Sequence, residues 1–308
     1  MTWKNLKRIS KENSMKIAII GAGKWGQALY HAYSQDNDVV INSRSVKDIE
    51  NFVSLEEALS YEHLIMAIPA QAVRSWMEEN FVDKGQSLLV AAKGIETSTG
   101  SFLNEVYGKY VNDDRLAFIS GPSFAAEVQK SLPTALKISS TNTELAELYA
   151  DALPLFIKGY VDDDVVGAEV AGAYKNVIAI AGGVCDGLEL GNNARAALIS
   201  RGLVEMTRFG EHFGAKTETF LSLGGAGDLF LTASSELSRN YRVGFGLAKG
   251  KSLEDILEEL GEVAEGIPTT EALYFIAKKE DIYLPIADEV YKMLEGKDPL
   301  KCVQDLLK

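Results

Sequence analysis

The sequence predicts an α/β chain: a doubly wound parallel sheet over residues 15–162, followed by an all-α domain over residues 163–308. Three observations lead there. Short apolar runs alternate with helix-compatible stretches through the first half. A glycine-rich turn joins the first of these runs to the first helical stretch. From Val165 onward, long helix-compatible segments replace the short runs. At 308 residues the chain also exceeds the size at which a single core usually stops growing, which favours two units.

Residues 1–14 are polar and basic, and Met15-Lys-Ile-Ala-Ile-Ile directly after them opens a strand. The expectation is that Met15 is the native start, or that the preceding segment is a loose extension. Lys16 to Ile20 forms the first strand, Gly21-Ala-Gly-Lys-Trp-Gly26 the turn, and Gln27 to Ser34 the following helix. Glycines in this spacing permit a tight turn, let a pyrophosphate approach bare backbone, and allow the helix to pack closely on the strand. The helix N-terminus then attracts anionic charge. Strand, turn and helix together predict a Rossmann-type dinucleotide-binding unit with its ligand at Gly21, Gly23 and Gly26; the plain alternative is a glycine turn without a ligand. Further strands are expected at Val39–Ile41, Leu64–Ile68, Leu88–Ala91 and Leu116–Ile119. The second of the five ends Val39-Val-Ile-Asn-Ser-Arg44, without the acidic residue that would accept from a ribose 2′-hydroxyl. Arg44 in its place predicts NADPH over NADH, unless it is an ordinary solvated charge. The short acidic link Asp162-Asp-Asp164 marks the boundary between the two units.

In the second half, helices are expected at Val165–Leu188, Ala194–Phe213, Tyr241–Ala248, Leu253–Leu260, Thr269–Lys278 and Ile286–Met293. Between Glu169 and Asp186, Lys175 is the only charged side chain. Helical spacing places it on a stripe of small residues with Ala168, Ala171, Gly172, Ala179 and Gly182. Such a stripe admits a close backbone or ligand, and desolvation there lowers a lysine pKa towards values useful for proton transfer. The alternative is a lysine whose stem packs while its head reaches water. Two further segments depart from ordinary helix punctuation: Gly224-Gly-Ala-Gly-Asp-Leu-Phe-Leu-Thr232, and Ser238-Arg-Asn-Tyr-Arg242, which suits a phosphate. Taken singly, Asp228 and Ser238 read equally well as helix caps and Arg239 as a surface charge.

With 31 basic and 44 acidic residues the net charge is −13, which disfavours nucleic acid or an anionic membrane surface as a general partner. Cys185 and Cys302 are too few and too far apart for a disulfide framework, so a cytoplasmic location is expected. The three histidines, His31, His63 and His212, fall in no ligand pattern, and no metal site is expected. No apolar run is long enough to cross a bilayer, and no secretory core opens the chain.

Seven motifs occur in order: the glycine turn, Lys93-Gly-Ile-Glu96, Ser120-Gly-Pro-Ser-Phe-Ala125, Gly172-Ala-Tyr-Lys-Asn-Val177, Gly225-x-Gly-Asp-Leu229, Ser238-Arg-Asn240 and Val263-Ala-Glu-Gly266. In this arrangement the chain closely resembles the bacterial NAD(P)-dependent glycerol-3-phosphate dehydrogenases, from about Met15 to about Glu271. The resemblance implies reduction of dihydroxyacetone phosphate to sn-glycerol 3-phosphate, a lipid precursor, with Lys175 as acid/base. It implies that Lys93 is a second cation at the carbonyl oxygen or hydroxyls, and that Asp228 binds a substrate hydroxyl and orients Lys175. Gly121 and Ser123 would contact substrate, while Ser238, Arg239 and Asn240 would clamp its phosphate. Lys24, Trp25, Ala125, Val263 and Glu265 would border the cofactor, with Lys93 and Arg239 also reaching it. A homodimer is implied as well. The rival readings are a related two-domain keto- or hydroxy-acid reductase, against which the Ser-Arg-Asn clamp argues, and a non-catalytic NADPH sensor, which has no reason to keep Lys93, Lys175 and Asp228 together.

Overall fold

A computed structural model describes residues 14–308. The expected extension over residues 1–14 thus lies, except for Ser14, outside the described residues. β1 (Lys16–Ile20) is buried from Ile17 onward, as its unbroken apolar run requires of a strand covered on both faces. There follow α1 (Lys24–Tyr33), β2 (Asp38–Asn42), α2 (Leu55–Ala58), β3 (His63–Met66), α3 (Val73–Asn80), β4 (Ser87–Val90), α4 (Leu103–Tyr107) and β5 (Leu116–Ser120). These five strands are parallel, in the order β2-β1-β3-β4-β5. The winding reverses at β1, which pairs with β2 on one side and β3 on the other, so the switch point lies at their carboxyl ends. Leu29, Ala32 and Tyr33 of α1 pack on one face of the sheet; Val73, Met77 and Val106 of α3 and α4 pack on the other.

The sheet is larger and less uniform than the expected five parallel strands. After α5 (Ala125–Val128), β6 (Thr134–Ser139) pairs antiparallel with β5. After α6 (Thr143–Asp151), β7 (Ile157–Asp162) pairs parallel with β6. The four residues of α5 rise only about 6 Å, against roughly 17 Å for the five of β5. That helix cannot carry the chain back across the sheet, so β6 returns in the opposite sense. Neither strand shows a clean apolar run: Lys137 sits in β6, and β7 is an edge strand exposing Lys158 and Tyr160.

Asp164 links β7 to α7 (Val165–Gly187) as its cap, its carboxylate accepting from the Gly167 amide at 2.9 Å, the Lys216 amide at 2.9 Å and the Thr219 hydroxyl at 2.5 Å. Around α7 lie α8 (Gly191–His212), α9 (Thr217–Leu221), a π-helical turn (Leu223–Gly227), α10 (Asp228–Ala233), α11 (Arg239–Ala248), α12 (Leu253–Leu260), α13 (Gly266–Glu280), α14 (Pro285–Leu294) and α15 (Pro299–Leu306). A helix with apolar residues on every face belongs in the centre, and α7 is buried there against α8, α10, α11 and α13. Its closest neighbour is α11. A Cβ on Gly183 would stand 1.9 Å from the Tyr241 carbonyl oxygen, and one on Gly244 1.8 Å from that of Ile180, so only glycine lets the two backbones touch.

Helices α9, α10 and α15 were not expected. The first two are only five and six residues long, shorter than the window over which helical periodicity becomes visible, and the glycines of residues 224–227 lower local helix propensity. Among the described residues no helix is long and apolar enough to cross a membrane, and no group of His, Cys, Asp or Glu is arranged to hold a metal ion.

Candidate active site

The carboxyl ends of β1, β3, β4 and β5 deliver their turns to one edge of the sheet, and the helical half closes over that edge. The β1 turn rests directly on the β3 turn: Gly21 has φ +111°, and a Cβ there would lie 2.4 Å from the Ala67 carbonyl oxygen. Lys93 extends from the turn after β4, its stem passing over Gly172 of α7, where a Cβ would stand 3.3 Å from Lys93 Cγ. The stripe of small residues thus serves two neighbours, since Gly182 meets the Ala233 carbonyl of α10.

Asp228, the first residue of α10, is 1% exposed and takes a lysine on each oxygen. Lys175 Nζ donates to Oδ1 at 2.5 Å, and Lys93 Nζ to Oδ2 at 2.9 Å. Lys175 also donates to the Thr232 hydroxyl at 3.1 Å. Lys175 is 7% exposed, so its head does not reach bulk water. Burial pulls its pKa down to about 7; the attraction of Asp228 opposes this and the nearby charge of Lys93 adds to it. For Asp228 burial acts upward, yet Lys175 and Lys93 together outweigh it and hold the carboxyl below the usual range. The cluster is therefore an ionised carboxylate serving two amines, one of which gives up its proton near neutrality.

Ser238 caps α11, its hydroxyl accepting from the Tyr241 amide at 3.3 Å and keeping its own hydrogen to donate. Arg239 is the next residue, paired to Glu262 at 3.3 Å. Asn240 is buried and ties three helices together: its Nδ2 donates to Asn176 Oδ1 at 2.9 Å, and its Oδ1 accepts from the Gly266 amide at 2.9 Å. Gly121 has φ +116°, and the Ser123 hydroxyl donates back to its carbonyl at 3.0 Å. Ala125 opens α5, which packs on α1. Val263 and Glu265 line a cavity of about 220 Å³ with Lys93, Gly94, Pro69 and Thr269. Burial raises the Glu265 carboxyl against the pull of Arg239. Arg44 stands exposed two residues beyond β2 and makes no ion pair among the described residues. Glu96 of the Lys-Gly-Ile-Glu turn faces away, receiving the Arg74 fork at 2.8 and 2.5 Å.

The glycine turn fits a dinucleotide. Nothing lies within 4 Å of a Cβ placed on Gly23, and no side chain caps α1, so its first-turn amides are free. Lys24 follows at the surface, and the buried Trp25 Nε1 has no hydrogen-bond partner. Three residues at the site were not singled out from sequence: Thr232, Asn176 and Glu262. Thr232 was findable, being four residues from Asp228 on one helical face.

The N-terminal description of the NAD-dependent glycerol-3-phosphate dehydrogenases matches residues 42–146, and the C-terminal description matches residues 164–305. A glycerol-3-phosphate dehydrogenase [NAD(P)+] from Sulfurimonas denitrificans is 62% identical over 292 residues, covering 95% of this chain and 99% of the relative. One from Nitratiruptor is 61% identical over 293 residues, covering 95% and 98%. The crystal structure of glycerol-3-phosphate dehydrogenase from Coxiella burnetii superposes with TM-score 0.87 at 32% identity, covering 96% of this chain and 99% of that one.

Proposed function

The chain belongs to the NAD-dependent glycerol-3-phosphate dehydrogenase family, and from that membership we propose how its residues reversibly convert dihydroxyacetone phosphate and a reduced nicotinamide cofactor into sn-glycerol 3-phosphate. The observation that carries the mechanism is the Lys93–Asp228–Lys175 cluster. When bound, the cofactor supplies the hydride that C2 of the ketone accepts. Lys175, with its pKa near 7, gives a proton to the substrate's C2 oxygen as negative charge builds there, and takes it back in the reverse direction. Lys93 offers a second positive charge to the same oxygen. Asp228 holds both ammonium groups by separate oxygens and keeps them aimed at one point. The substrate phosphate is held by the Ser238 hydroxyl, the Arg239 fork, the remaining Asn240 amide hydrogen and the N-terminus of α11. Gly121 and Ser123 border the substrate from the sheet side.

The cofactor lies along the glycine turn, over Gly21, Gly23, Lys24, Trp25 and Gly26, and reaches Lys93, Ala125, Arg239, Val263 and Glu265. Arg44, free and exposed beside the end of β2, supports NADPH as the preferred form and NADH as the weaker one. The product is a lipid precursor, so the reaction serves glycerophospholipid synthesis. Two buried free cysteines suit a reducing, cytoplasmic setting. A homodimer is supported by the exposed Tyr283 and Leu307 beside an apolar groove of about 640 Å³. The helical unit is taken to begin after Asp162, where β7 ends.

The decisive experiment follows the loss of NADPH absorbance on adding dihydroxyacetone phosphate, repeated with NADH. Oxidation with this substrate and faster with NADPH is expected. Absence of turnover with either cofactor would reject the reading.

A further inference from the structure

Lys24 and Arg239, one from each half of the chain, share a single carboxylate. Lys24 Nζ lies 2.5 Å from Glu262 Oε1, and Arg239 Nη1 lies 3.3 Å from Glu262 Oε2. Each cation is the first residue of its helix, α1 and α11, where the backbone itself favours an anion. Glu262 comes from the link between α12 and α13, immediately before Val263. Among the described residues neither cation makes another salt bridge. Lys24 leads in holding the Glu262 carboxyl below its usual range, burial opposes, and Arg239 and Arg242 add to the lowering.

As a stabilising device this bridge is weak. The Lys24 side chain is 74% exposed, and such pairs contribute little against solvent screening and side-chain entropy. Its position says more. It engages two cations with one negative charge at the mouth of the cofactor cleft, in a protein whose net charge of −13 already repels an anionic ligand. Any phosphate that takes either cation must first compete with this carboxylate.

We propose that Glu262 is an internal competitor for the phosphates of the dinucleotide: it bridges Lys24 and Arg239 in the chain without cofactor and yields them when the cofactor binds. The inference rests on the cofactor reading above. Its physical consequence is an exchange of one ion pair for another. Glu262 therefore weakens cofactor binding and also blunts its dependence on salt, because both sides of the exchange are screened alike.

The test is an equilibrium titration of NADPH by fluorescence with the unmodified protein, Glu262→Gln and Glu262→Asp, at low and high ionic strength. Adenosine 2′,5′-bisphosphate serves as a competing probe that carries phosphates but no nicotinamide. Glu262→Gln should bind NADPH about 2- to 5-fold more tightly at low salt, the range of an exposed ion pair. Its affinity should also fall more steeply with salt, the bisphosphate should follow the same order, and Glu262→Asp should lie between. Equal or weaker binding by Glu262→Gln, or an unchanged salt slope, overturns the inference while leaving the cofactor assignment standing. If the unmodified protein binds neither NADPH nor NADH, the cofactor assignment itself fails, and the inference with it.

Discussion

Lys93 and Lys175 meet on opposite oxygens of one buried carboxylate, Lys93 arriving from the turn after β4 and Lys175 from the central helix α7. Asp228, which joins them, is 135 positions from Lys93 and 53 from Lys175. The cluster therefore exists only when the sheet and the helical half are docked. It gathers two cations around one anion in a setting that excludes water, where each charge acts more strongly than at the surface.

Lys175→Ala removes the proposed proton donor and leaves the glycine turn untouched. Turnover should fall by about 10² to 10⁴, the usual span for a positioned acid/base, while NADPH binding measured by fluorescence stays nearly unchanged. Near-normal turnover would rule out the role.

The pH profile carries a sign. Reduction needs the protonated amine, so its kcat/KM should decline as pH rises through the lowered pKa of about 7, and oxidation of glycerol 3-phosphate should gain over the same interval. Asp228 pulls that pKa upward, so Asp228→Asn should move both limbs to lower pH. Limbs that stay in place in the variant would show that another group titrates.

Arg239→Ala removes one arm of the proposed phosphate clamp. The KM for dihydroxyacetone phosphate should rise well above that of the parent, with a much smaller change for a non-phosphorylated ketone. Equal effects on both substrates would contradict phosphate recognition.

Arg44→Glu places an acceptor where a ribose 2′-hydroxyl can use it and a 2′-phosphate is repelled. The ratio of kcat/KM for NADPH to that for NADH should fall, and a constant ratio would remove Arg44 from the cofactor site.

Gly183→Ala forces a methyl to within 1.9 Å of the Tyr241 carbonyl oxygen in the α7–α11 contact. The chain should lose about 1–3 kcal/mol, read from the urea midpoint. Gly23→Ala meets open space and should shift stability by less than about 0.5 kcal/mol. Equal midpoints for the two variants would mean that the helices are not in backbone contact.

Much of this architecture was legible along the chain. The turn after β1 declares itself through glycine spacing, and α7 through an apolar run in which a lone ammonium stands out. β6 and β7 escaped notice because Lys137 and the exposed Lys158 and Tyr160 interrupt any apolar run. Ser238 illustrates the opposite difficulty: it caps α11, as its local sequence suggested, and as an acceptor there the same hydroxyl retains its own hydrogen.

The sequence by itself determined the first five strands, the glycine turn after β1 and the long apolar helix that carries Lys175, because backbone preferences and periodicity act over a few residues. Only the tertiary structure decided that Lys93 and Lys175 share Asp228, that Glu96 turns away to Arg74, and that Glu262 spans Lys24 and Arg239. Those pairings join residues at least 22 positions apart, some within one half and some across both, and they arise from how whole elements pack, which no local pattern encodes.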